Sequence, residues 1–228
     1  MQNEPETPPV ASMRIKVTRN GPYVVTGSVP LVRLAMVLDA DGEALAWRVV
    51  QEYPLQEQYR LCRCGGSSTK PFCDGTHRRN GFDGTETASH ALYLDRAERT
   101  VGPTLELIDV QELCAGAGFC HRAGGTWNLT TRSDYPRARA LAIEEAGNCP
   151  AGRLVAWTKD GAPIEPDLGP SIAVTEDPVT GAIGPYWVRG GIEIEAADGT
   201  TYEVRNRVTL CRCGKSGNKP FCDASHQE

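Results

Sequence analysis

Positive charge is scarce in this sequence. Its 228 residues hold 24 Lys plus Arg against 29 Asp plus Glu, a net charge of -5 with a pI near 5.5. Neutralising nucleic-acid phosphates takes clustered positive charge, so this balance excludes a general nucleic-acid binder. Long apolar runs are missing too: none approaches the roughly 20 residues that span a bilayer. The opening stretch MQNEPETPPVAS brings acids and prolines but no basic segment and no apolar core. No secretory leader and no membrane partner are therefore expected, and the expected location is the reducing cytoplasm. No P-loop, dinucleotide fingerprint or nucleophile elbow is present, which speaks against an enzyme with its own substrate. Aromatic residues make up only 7% of the chain, and a small module with so few large apolar side chains needs a staple, commonly a bound metal.

What the sequence does have is cysteine. Nine are present, an odd number that cannot all pair within one chain, and in a reducing compartment they point to metal or redox chemistry rather than disulfides. Six of them lie in a repeat. Residues 62–77 read CRCGGSSTKPFCDGTH and residues 211–226 read CRCGKSGNKPFCDASH. The likeness extends upstream, where Ile15-Lys16-Val17-Thr18 parallels Ile172-Ala173-Val174-Thr175 and Gly21-Pro22-Tyr23 parallels Gly184-Pro185-Tyr186. From that Gly to the first Cys is 41 residues in the first copy and 27 in the second, so the first carries about 14 more, expected as a longer hairpin loop.

Length alone suggests one or two domains; the cysteines divide the chain further. Residues 1–12 are expected as a flexible tail, 13–88 as the first repeat module, 104–158 as a different module with Cys114, Cys120 and Cys149, and 171–228 as the second repeat module. Arg78–Thr87 and the Gly- and Pro-rich Lys159–Pro170 are the expected connectors. In the repeats, Ala35–Leu38 and Ala44–Val50 flank the turn Asp39–Gly42, and Ile192–Glu195 and Tyr202–Arg205 flank Asp198-Gly199, so hairpins are predicted at both places. Tyr135–Ala146 is predicted as a helix closed by Gly147. The fold class expected is α+β, mostly β: two small β-rich modules, each with a short cluster-binding helix, plus a small α+β module.

Each repeat sets out the same donors. Cys62 and Cys64, or Cys211 and Cys213, stand one residue apart, Cys73 or Cys222 follows nine residues later, and His77 or His226 four residues after that. Lys70-Pro71 and Lys219-Pro220 stiffen the approach, and Asp74 and Asp223 are placed to cap a helix presenting Cys and His on one face. Soft thiolates with an imidazole suit zinc, copper or iron–sulfur centres. Structural zinc sites usually space paired ligands two to four residues apart, so the one-residue gap better suits two thiolates sharing one iron of a wider cluster. Arg63, Arg212, Lys70 and Lys219 stand beside the ligands, either to attract an acidic partner or the cluster's negative charge, or as solvated surface charge.

Both segments resemble the CDGSH iron–sulfur domain, the mitoNEET-like family. The match covers Cys62, Cys64, Ser67, Pro71, Cys73, Asp74, Gly75, Thr76 and His77, and in the second copy Cys211, Cys213, Ser216, Pro220, Cys222, Asp223, Ser225 and His226. There Ala224 replaces the motif's Gly, at little cost unless the position needs a positive φ. The resemblance implies a [2Fe-2S] cluster in each repeat, with two Cys on one iron and Cys plus His on the other, and halves paired as a pseudo-dimer with exchanged strands. An imidazole in place of a thiolate is expected to raise the cluster potential, to couple reduction to pH and to make the cluster labile in acid.

The middle segment resembles the small divergent ferredoxins. Cys114 and Cys120 stand in a C-x5-C spacing with Ala117 where a regular site has its middle Cys, and Cys149-Pro150 supplies the distant C-P. Three thiolates imply [3Fe-4S], or [4Fe-4S] if His121, water or an exogenous thiol completes the set; ordinary buried thiols are the plain alternative. Ala115–Gly118 would let backbone N–H groups approach the cluster. The function expected is pH-coupled electron transfer, with a reductase and an acceptor as redox partners. The alternative is a cluster carrier or iron-redox sensor delivering to apo-acceptor proteins. The expected assembly is a monomer containing the internal pseudo-dimer.

Overall fold

The computed structural model describes residues 13–176, 181 and 183–227; the expected 1–12 tail lies outside the described residues. In the first repeat, β1 (Arg14–Val17) turns into β2 (Tyr23–Thr26), β3 (Leu31–Leu38) and β4 (Ala44–Glu52) form a long hairpin, and β5 (Gln58–Leu61) runs into Cys62. The middle segment contributes β6 (Glu98–Val101), β7 (Leu105–Asp109), α1 (Thr126–Thr131), α2 (Pro136–Asn148), β8 (Leu154–Thr158) and β9 (Pro163–Ile164). The second repeat supplies β10 (Ser171–Glu176), β11 (Ile183–Arg189), β12 (Glu193–Glu195) and β13 (Arg207–Leu210). The class is α+β, mostly β.

The strands form three sheets, ordered β12-β1-β2-β5, β13-β11-β10-β3-β4 and β6-β7-β8-β9. In the first two, each repeat lends a strand to the other. β12 lies parallel to β1, with Arg14 opposite Glu193 and Lys16 opposite Glu195; β3 lies parallel to β10 from Leu31–Ile172 to Ala35–Glu176. The outward positions of the first junction hold opposite charges, Arg14 Nε at 2.7 Å from Glu193 and Lys16 Nζ at 2.5 Å from Glu195. The inward positions alternate with them and are apolar: Ile15, Val17, Tyr23, Val25 and Leu61 of the first sheet meet Ile172, Val174, Tyr186, Val188 and Leu210 of the second in one core. Ile108, Val110 and Val155 of the third sheet join that core, while Leu105 and Leu107 pack against the helices on its other face.

The repeated Gly-Pro-Tyr has one structural cause in both copies. Thr18 and Thr175 donate their hydroxyls to Pro22 O (2.6 Å) and Pro185 O (2.8 Å). A Cβ on Gly21 would stand 2.5 Å from the Thr18 hydroxyl, and one on Gly184 2.4 Å from that of Thr175, so only glycine fits the turn. The extra length of the first copy is the β3–β4 hairpin, whose turn is held by Asp41 and Glu43 N–H groups donating to the Asp39 carboxylate (2.9 Å each). Its Trp47 packs on Phe119 of the middle segment and on Trp187 of β11, with ring centroids 5.2 and 5.7 Å apart.

Two expectations need correction. The helix continues through Gly147 to Asn148, because Arg207 of β13, 1% exposed, donates Nη1 to the carbonyls of Ala146, Gly147 and Cys149 at 2.7–2.8 Å. A guanidinium there satisfies the carbonyls that a glycine cap would otherwise serve. After Asp198-Gly199 the predicted return strand shrinks to a single bridge, Glu195 to Thr201, since Tyr202 turns inward to stack on His90 and donate to Glu86 (3.0 Å). The first connector is pinned to the second repeat at its end, where Thr87 and Ala88 donate their N–H groups to Lys219 O (2.8 and 2.9 Å).

Candidate metal centres

In each repeat a strand delivers the first cysteine and an antiparallel return delivers the third. Cys62 N donates to Pro71 O (2.8 Å) and Cys73 N to Arg60 O (2.9 Å); Cys211 N and Cys222 N do the same toward Pro220 and Thr209. The loop between is tied by Ser67 Oγ donating to Phe72 O (2.6 Å) and Ser216 Oγ to Phe221 O (2.7 Å). The Lys70-Pro71 and Lys219-Pro220 peptides are both cis. Asp74 does not cap an α-helix as expected. It accepts N–H bonds from Ser68 and Thr76 (2.8 and 3.0 Å), closing a turn that leads into a 3₁₀ helix of three residues, Thr76–Arg78. Those bonds hold its carboxyl well below the usual carboxylate range.

This framework sets the donors in pairs. Cys62 and Cys64 Sγ are 3.9 Å apart and Cys211 and Cys213 Sγ 3.8 Å; Cys73 Sγ lies 3.4 Å from His77 Nδ1 and Cys222 Sγ 3.5 Å from His226 Nδ1. Metal bonds of roughly 2.3 Å to sulfur and 2.0 Å to nitrogen make a tetrahedral edge of about 3.8 Å for two thiolates and about 3.5 Å for thiolate and imidazole. Each pair thus has the spacing of two ligands on one metal. Among the described residues no three His, Cys, Asp or Glu side chains converge as one single-ion site. Gly66 and Gly75 aim backbone N–H groups at Cys64 and Cys73 Sγ (3.4 Å each), as Lys215 does at Cys213 (3.4 Å).

Burial pushes the Cys62 thiol up, and Cys222 to about 12. Cys211 is raised by its hydrogen bond to Cys213 and by burial, while the same bond lowers Cys213. Thiols held protonated in this way release protons when a metal binds. Burial pulls both imidazoles down, toward the neutral form that can ligate.

Arg63 and Arg212, between the paired cysteines, are not surface charges. They are 1% and 5% exposed and lie 5.5 Å over the rings of Tyr23 and Tyr186. Neither has a carboxylate partner among the described residues, and Arg63 Nε and Nη2 and Arg212 Nε and Nη1 make no hydrogen bond. An uncompensated buried cation is costly. The two tyrosines cross the pseudo-twofold: Tyr23 donates to Cys211 O (2.9 Å) and Tyr186 to Cys62 O (2.9 Å), their rings 6.1 Å apart.

The middle cysteines come together as well. Cys114 follows the 3₁₀ helix Gln111–Leu113, Cys120 ends the glycine loop, and Cys149 follows α2. All three line one small cavity with Ala115–Phe119, Pro150, Arg153 and Leu154. Burial raises the Cys120 thiol to about 11. His121 lines a different cavity, one that His226 also lines. Sequence reasoning passed over Arg153, which is held by two bonds to the Asp109 carboxylate (2.6 and 2.8 Å) and also faces Cys114. Its only sequence signal was its place four residues after Cys149. The middle centre adjoins the second repeat: Cys222 packs with Ala115, Ala151 and Cys149, and Gln227 Nε2 donates to Gly116 O (2.9 Å). The structure thus brings the donors of each repeat together as two pairs and the three middle cysteines around one cavity, with Cys222 and Cys149 in contact where the two meet, while His90 stacks on Tyr202 away from all of them.

A family model described as the iron-binding zinc finger, CDGSH type, matches residues 20–78 and 183–227. A second, described as a divergent 4Fe-4S mono-cluster, matches residues 101–159 between them. No curated protein and no solved structure matches the chain.

Proposed function

We propose that this chain, an iron–sulfur protein with two CDGSH-type regions flanking a divergent 4Fe-4S segment, is a one-electron carrier. Cys62, Cys64, Cys73 and His77 hold one [2Fe-2S] cluster and Cys211, Cys213, Cys222 and His226 another. Cys114, Cys120 and Cys149 hold a [3Fe-4S] cluster; in a [4Fe-4S] version the fourth ligand comes from outside the chain, since His121 faces the neighbouring cavity. The observation that carries this reading is the grouping of donors into two pairs per repeat, each at the edge length of one metal's tetrahedron.

The surrounding residues fit such groups. Three thiolates and bridging sulfides leave a [2Fe-2S] unit with net negative charge, and Arg63 and Arg212, buried without a carboxylate partner among the described residues, are the cations that would balance it. Arg153, already paired with Asp109, also faces Cys114 of the middle set. When bound, the clusters supply reversible one-electron storage at potentials tuned by ligand type, N–H···S bonds and exposure. His77 turns Nδ1 toward Cys73, which leaves Nε2 as the nitrogen that can gain or lose a proton. Tyr23 and Tyr186 fix the backbone of the opposite repeat's first cysteine.

Iron and sulfide analysis with EPR and Mössbauer spectroscopy on anaerobically purified protein tests the assignment. The expected result is an oxidised, EPR-active three-iron signal beside [2Fe-2S] centres that are silent until reduced; a colourless zinc protein overturns it. In voltammetry, one potential is expected to fall as pH rises, and His77→Cys to lower that potential and flatten its slope. A second reading, cluster delivery, is favoured by the partial exposure of His77; transfer to an apo-ferredoxin, followed by circular dichroism, distinguishes the two.

A further inference from the structure

The two repeats are similar in fold but not in their surroundings. Each has a groove between its Gly-Pro segment and its Cys/His pair, lined in the first copy by Arg19, Arg60, Cys73, His77, Arg78 and Phe82. At the positions of the three arginines the second copy carries Glu176, Thr209 and Gln227. Its groove is also covered. Ala115–Gly118 of the middle segment and Met36, Leu38 and Trp47 of the β3–β4 hairpin wall it, together with Glu176, His226 and Gln227. The Gln227 bond to Gly116 O fastens that cover, and a Cβ on Gly116 would stand 2.6 Å from the Gln227 side chain. The groove of the second repeat therefore already receives a cysteine-bearing loop of a ferredoxin-like segment.

Among the described residues the first groove has no such cover. Arg19, Arg60 and Arg78 are exposed, and Arg79 beside them is too. Among the described residues none of the four has an ion-pair partner. The one carboxylate in the groove, Asp74, is engaged by Ser68 and Thr76. In a chain of net charge -5 this is a local reversal of sign. Facing cations around an exposed redox site raise the encounter rate of an anionic partner in a salt-dependent way.

We propose that the first groove is the docking port for an external, acidic iron–sulfur protein, which seats a cluster-bearing loop there as the middle segment seats its own in the second groove. The second repeat then lies inside the molecule, between port and middle centre. Its Gly214 would-be Cβ stands 2.9 Å from Cys64 O and that of Gly65 2.4 Å from Cys213 O, so the two Cys-x-Cys-Gly loops are in contact across the pseudo-twofold. This division rests on the electron-carrier reading above.

The test uses the cluster-loaded full chain and a plant-type ferredoxin, a small acidic one-electron donor, as probe. Arg19→Gln/Arg60→Thr/Arg78→Gln borrows two residues the second copy already carries at these positions. Arg48→Gln/Arg132→Gln/Arg137→Gln removes the same charge from exposed positions elsewhere. Iron content and visible spectrum are compared first; a wild type without iron–sulfur absorption fails the carrier reading itself, before docking is addressed. With clusters present in all three proteins, stopped-flow reduction by the reduced probe is expected to slow at least tenfold in the groove variant at low salt and less than twofold in the control. The wild-type rate alone falls steeply with ionic strength. Isothermal titration of the two oxidised proteins, where no electron moves, is expected to show binding lost in the groove variant only. Equal losses in both variants, or a wild-type rate independent of salt, overturn the port. Full inhibition by pyrophosphate at constant ionic strength assigns the arginines to a small anion and overturns it as well.

Discussion

Ala224 sits at φ 70° where its counterpart Gly75 has φ 86°. An L-residue in this left-handed region costs about 1–2 kcal/mol, so the exchange of Gly for Ala is not free, as the sequence reading allowed it to be if φ were negative. Ala224→Gly is expected to stabilise the protein by about 1 kcal/mol, some 2–4 °C in Tm by thermal denaturation. Gly75→Ala should lose a similar amount through backbone strain alone, since no atom lies within 4 Å of the added Cβ. At this scale the motif residues were legible as donor pairs, because contiguous spacing decides which of them lie close, Cys62 by Cys64 and Cys73 by His77. Arg153 and Arg207 were not, because each acts on groups far away in sequence, Arg153 on Asp109 and Arg207 on the end of α2. Arg63 and Arg212 were noticed, but a charge in a Cys-x-Cys turn reads as solvated until burial is known.

Among elements, α1 and α2 are joined by a buried acid. Glu145 is fully buried; its Oε2 accepts from the Thr126 hydroxyl (2.7 Å) and its Oε1 has no partner. Burial raises its pKa above the ordinary glutamate value. The folded state therefore binds this proton more tightly than the unfolded one, so its contribution is fullest below the unfolded pKa and is lost as pH rises through the folded one. Glu145→Gln keeps an acceptor for Thr126 and removes the charge. It is expected to unfold roughly 2–4 °C higher than the parent at pH 7, corresponding to about 1 kcal/mol, with the difference vanishing below about pH 4. The existence of α2 was legible from its Ala, Leu, Arg and Glu content, and the Asp39–Gly42 hairpin from its turn residues. The end of α2 and the missing strand after Gly199 were not, because Arg207 and Tyr202 answer to tertiary partners rather than to local propensity.

On the scale of the whole molecule, neither repeat completes its own sheet. β1 needs β12, and β10 needs β3. Separately produced segments 13–88 and 171–228 are therefore expected to stay unfolded and iron-free, and to recover iron–sulfur absorption only on co-production, ideally with the middle segment attached to the second. Folded, iron-loaded halves in isolation would contradict the exchanged-strand core. The duplication was readable from the repeated Cys motif and Gly-Pro-Tyr, whereas the seating of the middle segment's glycine loop over the second repeat's groove rather than the first follows from Gln227, Arg207 and the first repeat's hairpin, none of which belongs to a motif.

The parallel pairing of Arg14 with Glu193 also sets a timetable for synthesis. A ribosome adding about 5–20 residues per second takes roughly 10–35 s to make the chain between those two partners. For the last 116 residues of that interval, roughly 6–23 s, all four donors from Cys62 to His77 have been made on a module whose outer strand does not yet exist. Closure of the first sheet is thereby a late event, coupled to completion of the second repeat, and until then the nascent chain carries an open sheet edge along β1.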